Sequence, residues 1–307
     1  MNKSDYLIFR HTLGKNPYRV PIDYSKNKIK KISKVKVKEQ LVESLKDLKD
    51  FTCFVSGGVD SSLLAAIAKP KVIYTASFPG YENDESQWAQ KVADHIGAEL
   101  RIIEITKNEY LATLEKLIWL KGDGLHPNEP CLYLVAKQAV KDGFSTILSG
   151  EGADDIFGGY TDLLDNGEKY LENKESFLSR YAYVRPSKYG LPEEIPFDDF
   201  KKWAMERFIL EIHTVGLISR AVYACVAAGI TPKFPYLEGK LPQMMWQAPK
   251  DKKVNKKLLK ELAEEYLPHE VVYRPKIGFP VPLSEWVGQK GIEDFLLLNI
   301  KIWESFN

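Results

Sequence analysis

Short apolar runs alternate with amphipathic stretches through the first half of the chain. Such runs predict strands that are buried on both faces of a sheet, and here they cover residues 51–55, 72–78, 100–105 and 145–148. The amphipathic stretches predict helices at residues 61–68, 108–120 and 131–141 and another that ends before Gly97. Strands that alternate with helices predict a parallel sheet flanked by helices, so the fold class is α/β.

Strand signals largely stop after Gly159. The remaining periodic stretches predict helices at residues 169–183, 197–212, 217–228 and 256–266, and a short helix is predicted earlier, at 41–48. We therefore expect an N-terminal extension (1–50), an α/β core (51–160) and a mainly helical C-terminal part (161–307).

Charge and composition exclude some classes of function. Among 307 residues, 43 Lys and Arg nearly balance 42 Asp and Glu, which argues against a general binder of nucleic acid or membranes. The Lys-rich run at 26–38 is interpreted as a solvated face with an apolar underside.

The three cysteines are far apart, and neither a signal segment nor an apolar run of about 20 residues is present. We expect a cytoplasmic protein with buried, reduced cysteines.

The string SGGVDSS at residues 56–62 joins the first predicted strand to a helix. Gly57 and Gly58 let the backbone approach a phosphate, and hydroxyls and free N–H groups at the helix start favour an anion. Asp60 offers an oxygen ligand for Mg²⁺. The string is neither a Walker loop nor a GxGxxG fingerprint. A Gly-Gly turn with ordinary capping residues is the alternative.

A second Gly-rich string, SGEGADDIFGGY, follows the fourth predicted strand at residues 149–160. It should emerge at the same sheet edge as the first string, where open α/β sheets bind ligands. Asp154 could share Mg²⁺ with Asp60, and Glu151 could act as a general base toward an amine. The alternative is a strand-to-helix turn with ordinary N-terminal acids.

The two strings and a third resemble known families. SGGVDSS resembles the signature of N-type ATP pyrophosphatases (PP-loop enzymes). SGEGADDIFGGY is similar to the asparagine synthetase motif SGEGADELFGGY, and RPKIGFPVPLSEW at 274–286 is similar to that family's RPKxGFxxPxxxW segment. The resemblance covers roughly residues 35–290. It implies an adenine nucleotide alpha hydrolase-like fold and asparagine (amino-acid) biosynthesis through an adenylate intermediate.

The resemblance also implies roles for individual residues. Glu151 and Lys276 would be catalytic, Lys276 by stabilising transition-state charge, and Asp60 and Asp154 would bind Mg²⁺. The ATP-binding residues would be Val55, Ser56, Gly57, Gly58, Asp60, Ser61, Ser62, Ala76, Ser149, Gly150 and Lys256. Part 161–307 would complete the acceptor site.

The sequence also departs from the family. Full-length members begin with a glutaminase domain whose nucleophilic Cys follows Met1, whereas residue 2 here is Asn and too little chain precedes the first loop for such a domain. We therefore expect free ammonia, another amine or a separate glutaminase subunit as the nitrogen source. Residues 217–238 keep only the outline of the family's DRxSMAxSLEVRVPFLD-like stretch, which makes the acceptor less certain than the nucleotide.

The expected activity is therefore that of an AMP-forming C–N ligase with ATP and Mg²⁺ as cofactors. It would activate a small carboxylate, first of all L-aspartate, and transfer ammonia or an amine. Glu151 favours amide formation over ring closure, since β-lactam-forming relatives typically have Tyr there. The alternatives are a peptide or lactam cyclase, a tRNA-modifying PP-loop enzyme and a non-catalytic subunit. Whether the protein forms a homodimer is left open.

Asp123, His126 and Glu129 lack zinc-type spacing and are expected in a solvated or substrate-lining loop.

Overall fold

Parallel strands form the centre of the computed structural model, which describes residues 1–15, 18–29, 31–82, 84–275 and 281–306. The strands are β1 (Phe51–Phe54), β2 (Val72–Ser77), β3 (Glu99–Glu104), β4 (Thr146–Leu148) and β5 (Thr231–Lys233). They lie in the order β3-β2-β1-β4-β5, all parallel. From β1 the chain adds β2 and β3 on one side of the sheet and then β4 and β5 on the other, so the strand order reverses between β1 and β4. A crevice beyond the carboxyl ends of strands at such a switch point is the usual ligand site of an open α/β sheet.

Helices connect and cover the strands. They are α1 (Lys3–Phe9), α2 (Lys34–Ser44), α3 (Val59–Ala68), α4 (Ser86–Ile96), α5 (Lys107–Lys121), α6 (Glu129–Lys141), α7 (Ala153–Ile156), α8 (Thr161–Asp165), α9 (Gly167–Tyr170), α10 (Lys174–Tyr181), α11 (Phe197–Phe208), α12 (Thr214–Ala228), α13 (Leu241–Gln247), α14 (Lys250–Lys253), α15 (Lys257–Ala263), α16 (His269–Val272), α17 (Leu283–Trp286) and α18 (Ile292–Ser305). Short 3₁₀ segments occupy Pro186–Tyr189, Pro235–Leu237 and Val254–Lys256, and a π-helical turn, Ile209–His213, joins α11 to α12.

Both faces of the sheet are buried. Ile73 in β2 and Leu148 in β4 face a core made with α2, α3, α4 and α15. Their neighbours Tyr74 and Ile147 face the opposite core, made with α5, α6, α12 and α18, because successive strand side chains point to opposite faces. A third, largely aromatic cluster joins α1 to α9, α10 and α11. The prediction of a parallel sheet flanked by helices with a mainly helical C-terminal part is confirmed.

The predicted strand bounds hold to within one residue, and β5 was not predicted because Thr-Pro-Lys has no apolar run. The helix predicted at 41–48 is wrong in its bounds: α2 begins directly after Ser33, whose side chain accepts the Lys36 N–H. The predicted helix at 169–183 is divided into α9 and α10. Helices α1 and α18, which flank the predicted elements, were also missed.

A helical run in the described part of the chain, Phe197–Ala228, has the length and apolar composition of a membrane span, although it is broken by a kink at Ala204, whose φ is 60°. Its most apolar window is 56% buried within the protein, as in the core helix of a globular domain. His213 and Arg220 on this run line the main cleft. We therefore interpret the run as a wall of the cleft.

Candidate active site

Two loops meet at the switch point of the sheet, one after β1 and one after β4. Gly150 in the second loop lies against the first turn of α3. A Cβ atom at Gly150 would come within 2.8 Å of the Ser61 backbone nitrogen, so a side chain there would push the loops apart. The two strings that the sequence places at one sheet edge are therefore in direct contact.

The loop after β1 curls around the start of α3. The Ser56 N–H donates to Ser61 Oγ at 3.2 Å, and Gly58, which has no side chain, occupies the N-cap position. The first N–H groups of a helix have no intrahelical acceptor, and together with the helix dipole they favour an anion. Ser56, Gly58 and Ser61 line the cleft, so these groups face open space.

Two members of the first string lie behind this surface. Gly57 has a φ of 75°, and a Cβ atom there would lie 2.4 Å from Trp88 Cβ on α4. Ser62 is fully buried within α3. Gly57 and Ser62 therefore shape the loop from behind, whereas Ala76 at the end of β2 and Ser149 after β4 line the cleft itself.

One amine bridges two carboxylates at the centre of the cleft. Lys256 Nζ lies 2.6 Å from Asp60 Oδ2 and 2.7 Å from Asp154 Oδ1. Burial lowers the pKa of Lys256, but the nearby charges of Asp60 and Asp154 outweigh burial, and the net shift is upward. The lysine is therefore protonated and holds two acids from different loops together.

The turn that presents Lys256 is tightly built. Asn255 and Lys256 both have positive φ angles, 55° and 58°, a conformation that non-glycine residues seldom adopt. Their N–H groups donate to the carbonyls of Gly158 and Phe157, each at 3.1 Å. At Gly159 a Cβ atom would lie 1.8 Å from Asp154 Oδ1 and 2.7 Å from Lys256 Cε. The glycines that end the second string therefore make room for Lys256.

Glu151 is held by an arginine from α12. Arg220 Nη2 lies 2.5 Å from Glu151 Oε1, and the arginine side chain is 8% exposed. Arg220 Nη1 also lies 2.8 Å from His126 Nδ1. Burial, followed by the charges of Arg10 and Arg220, holds the pKa of His126 well below its usual range. His126 is therefore neutral and can accept a hydrogen bond from Arg220.

The loop that contains Asp123, His126 and Glu129 was expected to be solvated or to line the substrate site; it is buried rather than solvated, and it reaches the cleft through His126. Glu129 forms an ion pair with Lys121 at 2.8 Å and accepts the His126 N–H at 2.8 Å. Asp123 accepts a hydrogen bond from Thr12 at 3.1 Å. Only His126 of the three lines the cleft.

Asp155, next to the Lys256 ligand Asp154, is buried beneath the second loop. Burial raises its pKa to about 7, opposed by a hydrogen bond from Thr214, whose Oγ1 lies 2.5 Å from Asp155 Oδ1. The acidic string therefore brings three carboxyls to the cleft wall, of which Asp155 is the buried one that can be protonated near neutral pH.

Arg274 connects the third sequence string to the first loop. Its Nη1 donates to the Ser56 carbonyl at 3.2 Å, and it also forms an ion pair with Glu85 and lies over the Trp88 ring. The side chain is 4% exposed. The C-terminal segment is thus tied to the phosphate-facing loop at residue 274, two positions before Lys276, which lies outside the described residues.

The cleft has a volume of about 1180 Å³ and continues past Glu151 to a wall formed by the end of α1, α10 and α12. We call this region the distal end; its lining includes Arg10, Tyr160, Tyr181, Tyr183 and His213. Burial, then the charges of Arg10 and Arg220, lowers the pKa of His213 to about 3. The Tyr181 hydroxyl lies 2.7 Å from His213 Nδ1.

Comparison with known proteins decides the family. Residues 36–299 match the family model described as asparagine synthase. The chain belongs to the asparagine synthase family.

Over the aligned region, the curated relatives are about a quarter identical to the chain. It is 27% identical over 299 residues to asparagine synthetase [glutamine-hydrolyzing] 1 of Bacillus subtilis, a match that covers 76% of this chain and 46% of the relative. It is 27% identical to asparagine synthetase B [glutamine-hydrolyzing] of Escherichia coli, with 87% of this chain and 46% of the relative covered. The chain thus spans about half the length of the curated relatives it matches.

Comparison with solved structures found a match to the U34-tRNA thiolase NcsA from Methanococcus maripaludis with its [4Fe-4S] cluster. The two share 14% identity, with 88% of this chain and 79% of that chain covered and a TM-score of 0.38.

Most of the site residues that the family resemblance implies line one cleft. Val55, Ser56, Gly58, Asp60, Ser61, Ala76, Ser149, Gly150, Glu151, Asp154 and Lys256 all line it. Sequence reasoning gave no role to Arg274 or Arg220, although Arg274 begins the third string and Arg220 lies in the altered 217–238 stretch. Arg10 lies outside the matched region and carries no motif signal.

Proposed function

We propose that the protein is an ATP-dependent, AMP-forming amide ligase that activates a carboxylate, L-aspartate first of all, and transfers ammonia or another amine to it. The observation that carries this proposal is the placement of Asp60 and Asp154, bridged by Lys256, beside the open start of α3. This arrangement suits a polyphosphate with its cation. Family membership and relatives named asparagine synthetases support the same activity.

The triphosphate would lie across the loop after β1. Free N–H groups at the start of α3 and the hydroxyls of Ser56 and Ser61 would donate to it, and Lys256 would add a positive charge. Ala76 and Ser149 line the same cleft as this loop, which supports placing the nucleoside beside them.

The acidic pair also fits a magnesium ion. Mg²⁺ favours one or two carboxylates together with phosphate oxygens and water, and Asp60 and Asp154 already converge on one cation. The described residues include no group of three or more His, Cys, Asp or Glu that could hold a metal ion, which agrees with a site completed by phosphate. Bound there, Mg²⁺ would neutralise charge on the triphosphate and on the departing pyrophosphate.

The first chemical step would be adenylylation. A carboxylate oxygen of the acceptor attacks the α phosphorus of ATP, the bond from that phosphorus to the bridging oxygen of the β phosphate breaks, and pyrophosphate leaves. Lys256 and Lys276 would offset the charge that develops, a role for which preorganised cations are suited. For Lys276 this role rests on the sequence alone.

The second step would form the amide. The nitrogen of ammonia or another amine attacks the acyl carbon, the carbon–oxygen bond to AMP breaks, and the attacking nitrogen loses a proton to Glu151. The ion pair with Arg220 supports this role, because it fixes the Glu151 carboxylate at the boundary between the nucleotide half and the distal end.

The source of nitrogen is a separate part of the proposal. The named relatives are glutamine-hydrolysing, and the chain spans about half their length. We propose that ammonia, either free or released by a glutaminase, supplies this site. The cytoplasmic location and a homodimer stay predictions.

An isotope experiment tests the chemistry directly. The protein is incubated with ATP, MgCl₂, ammonium and L-aspartate labelled with ¹⁸O in the β-carboxylate, and AMP, ADP and asparagine are measured by mass spectrometry. We expect equal amounts of asparagine and AMP, with one ¹⁸O in the AMP phosphate, because the acyl oxygen leaves with AMP.

Other products would redirect or reject the proposal. ADP in place of AMP would refute cleavage between the α and β phosphates. AMP without ¹⁸O would refute carboxylate attack. Absence of AMP with aspartate, despite confirmed ATP binding, would exclude aspartate and move the search to peptide carboxylates or RNA. Glutamine in place of ammonium is the control for nitrogen source, and no asparagine is expected from it without a glutaminase.

A further inference from the structure

Arg10 is brought to the distal end of the cleft by a helix outside the matched family region. Helix α1 ends at Arg10, whose φ of 63° is rare for a residue with a side chain. The Tyr6 hydroxyl donates to the Leu125 carbonyl at 2.6 Å, and the Val184 N–H donates to the Leu7 carbonyl at 3.1 Å. These bonds fix α1 to the loop before α6 and to the segment after α10, so the position of Arg10 is well defined.

The charge of Arg10 is not compensated by the described residues. Its guanidinium lies over the Tyr183 ring, 3.7 Å from the centroid, and its Nε has no hydrogen-bond partner in that part of the chain. Burial is the largest cause that lowers its pKa, and the largest electrostatic influences on it come from three tyrosines and Arg220. Asp155 lines the same cleft, but it accepts a hydrogen bond from Thr214 and forms no ion pair with Arg10. Arg10 is half-buried, and a cation in such surroundings that lacks an anion favours binding one.

Neighbouring groups do not supply the missing anion. The charge of Arg220 is taken up by Glu151, 2.5 Å away. His126 and His213 are held neutral by burial, with Arg10 and Arg220 adding to the effect, so neither brings negative charge. Tyr160 and Tyr181 keep their protons, because burial raises both phenol pKa values well above the usual range. The distal end thus offers a cation that lines a cavity.

We propose that the distal end is an anion subsite in which Arg10 binds a second carboxylate of the acceptor, while the first carboxylate reacts beside Glu151. This inference rests on the proposed function and deepens it. It assigns the acceptor to the dicarboxylate amino acids and gives the N-terminal segment a part in substrate recognition. A guanidinium matches a carboxylate in shape as well as charge.

The test compares two ligands and three variants. L-Aspartate has both carboxylates, whereas L-isoasparagine, its α-amide, keeps the β-carboxylate but lacks the second anion. Binding of each is measured by titration calorimetry with a non-hydrolysable ATP analogue and Mg²⁺ present, and AMP formation is measured with ATP and ammonium. The variants are Arg10→Gln, Arg10→Lys and Lys3→Gln, the last a control that removes one positive charge from α1 outside the cleft.

We expect Arg10→Gln to weaken aspartate binding roughly 10- to 100-fold, the usual loss for a charged hydrogen bond. Arg10→Lys should lose less, and Lys3→Gln should match the wild type. Isoasparagine should bind the wild type about as weakly as aspartate binds Arg10→Gln, and Arg10→Gln should affect it little. Affinity for the ATP analogue should be equal in all four proteins.

Two results would overturn the subsite: wild-type affinity for aspartate in folded Arg10→Gln, or an equal loss for isoasparagine. If Arg10→Gln does not fold, the wild type must still prefer aspartate to isoasparagine at least tenfold, and equal affinity rejects the subsite. Arg10-dependent aspartate binding without AMP formation would refute the proposed function alone. AMP formation from aspartate that is unaffected in Arg10→Gln would refute the subsite alone.

Discussion

Glu151 and Arg220 form a 2.5 Å ion pair between the loop after β4 and the middle of α12, although 69 positions separate them in the chain. The pair lies where the nucleotide half of the cleft meets the distal end. Because Arg220 also contacts His126, it connects Glu151 to the buried loop before α6. The orientation of the proposed base thus depends on a residue from the altered 217–238 stretch.

Substitution Glu151→Gln should separate the two chemical steps. The amide keeps the size of the side chain but cannot accept the amine proton, so asparagine formation should fall by about 100- to 10,000-fold. ATP binding and aspartate-dependent exchange of labelled pyrophosphate into ATP should persist. Glu115→Gln, on the exposed face of α5, is the matched control. Undiminished asparagine synthesis in Glu151→Gln would remove Glu151 from the mechanism.

Substitution Lys256→Met should destabilise the ligand-free protein. It would leave the half-buried Asp60 and Asp154 without their shared cation. Loss of one partner from a fully buried ion pair costs about 3–5 kcal/mol, and the loss here should be smaller because water screens both acids. The free energy of unfolding is measured by urea denaturation. Mg²⁺ should restore part of the loss in Lys256→Met, and the double variant Lys256→Met with Asp154→Asn should be more stable than the single one. Additive losses in the double variant would contradict a shared ionic site.

The stability of the protein should depend on the protonation of Asp155. Because the pKa in the folded state is about 7 and the unfolded value is 3.8, the native state binds one more proton than the unfolded state between these limits. The free energy of unfolding should therefore fall as pH rises from about 4 to about 7, by about 4 kcal/mol in total, and level off above that range.

Substitution Asp155→Asn should remove this contribution, since the amide does not titrate and its oxygen can still accept the Thr214 hydrogen bond. The stability of the variant relative to the wild type should increase between pH 5 and pH 7, measured by urea denaturation at each pH. Asp94→Asn, at an exposed position of α4, should leave the wild-type slope unchanged. Parallel curves for the wild type and Asp155→Asn would refute the shifted pKa.

Alanine at Gly58 and at Gly150 should have different effects. At Gly150 the new methyl group would strike the start of α3, so stability should fall by about 1–3 kcal/mol and ATP binding should weaken with it. At Gly58 the nearest atom, Ser56 Oγ, is 3.4 Å away, so stability should change by less than about 1 kcal/mol.

The methyl group at Gly58 would nevertheless stand in the proposed path of the phosphates and lower ATP affinity roughly tenfold. Thermal denaturation and nucleotide titration of both variants give the two quantities separately. Full ATP affinity in Gly58→Ala would argue against phosphate binding at this loop.

The sequence predicts the structure best where a clear local pattern is combined with a known place in the sheet. Strands β1 to β4 are short apolar runs between clear breaks, and the loops after β1 and β4 must share an edge once the sheet is parallel. The meeting of Asp60 with Asp154 follows from that topology. Lys256 was assigned through the family resemblance, and its contact with both acids depends on a strained turn that no local propensity indicates.

The distal end was beyond sequence reasoning for a physical reason. Arg10 directly follows a short helix, α1, whose residues are buried by tertiary contacts, so the apolar periodicity of that helix is too brief to be recognised. The loop with His126 appears polar in sequence, yet its acids are satisfied internally by Lys121, Thr12 and backbone N–H groups. Polar residues that satisfy one another within the fold have the same sequence pattern as polar residues that face water.

The Lys256 bridge has a consequence for the order of events during protein synthesis. Asp60 and Lys256 are separated by 196 positions, and Lys256 follows β5 in the chain. A nascent chain on the ribosome has both Gly-rich loops well before the amine that joins their acids has been made. Contacts so distant in sequence form late in folding. The growing polypeptide therefore acquires its complete ionic centre only after nearly all of the molecule has been translated, and a truncated product of translation that ends before Lys256 would lack it.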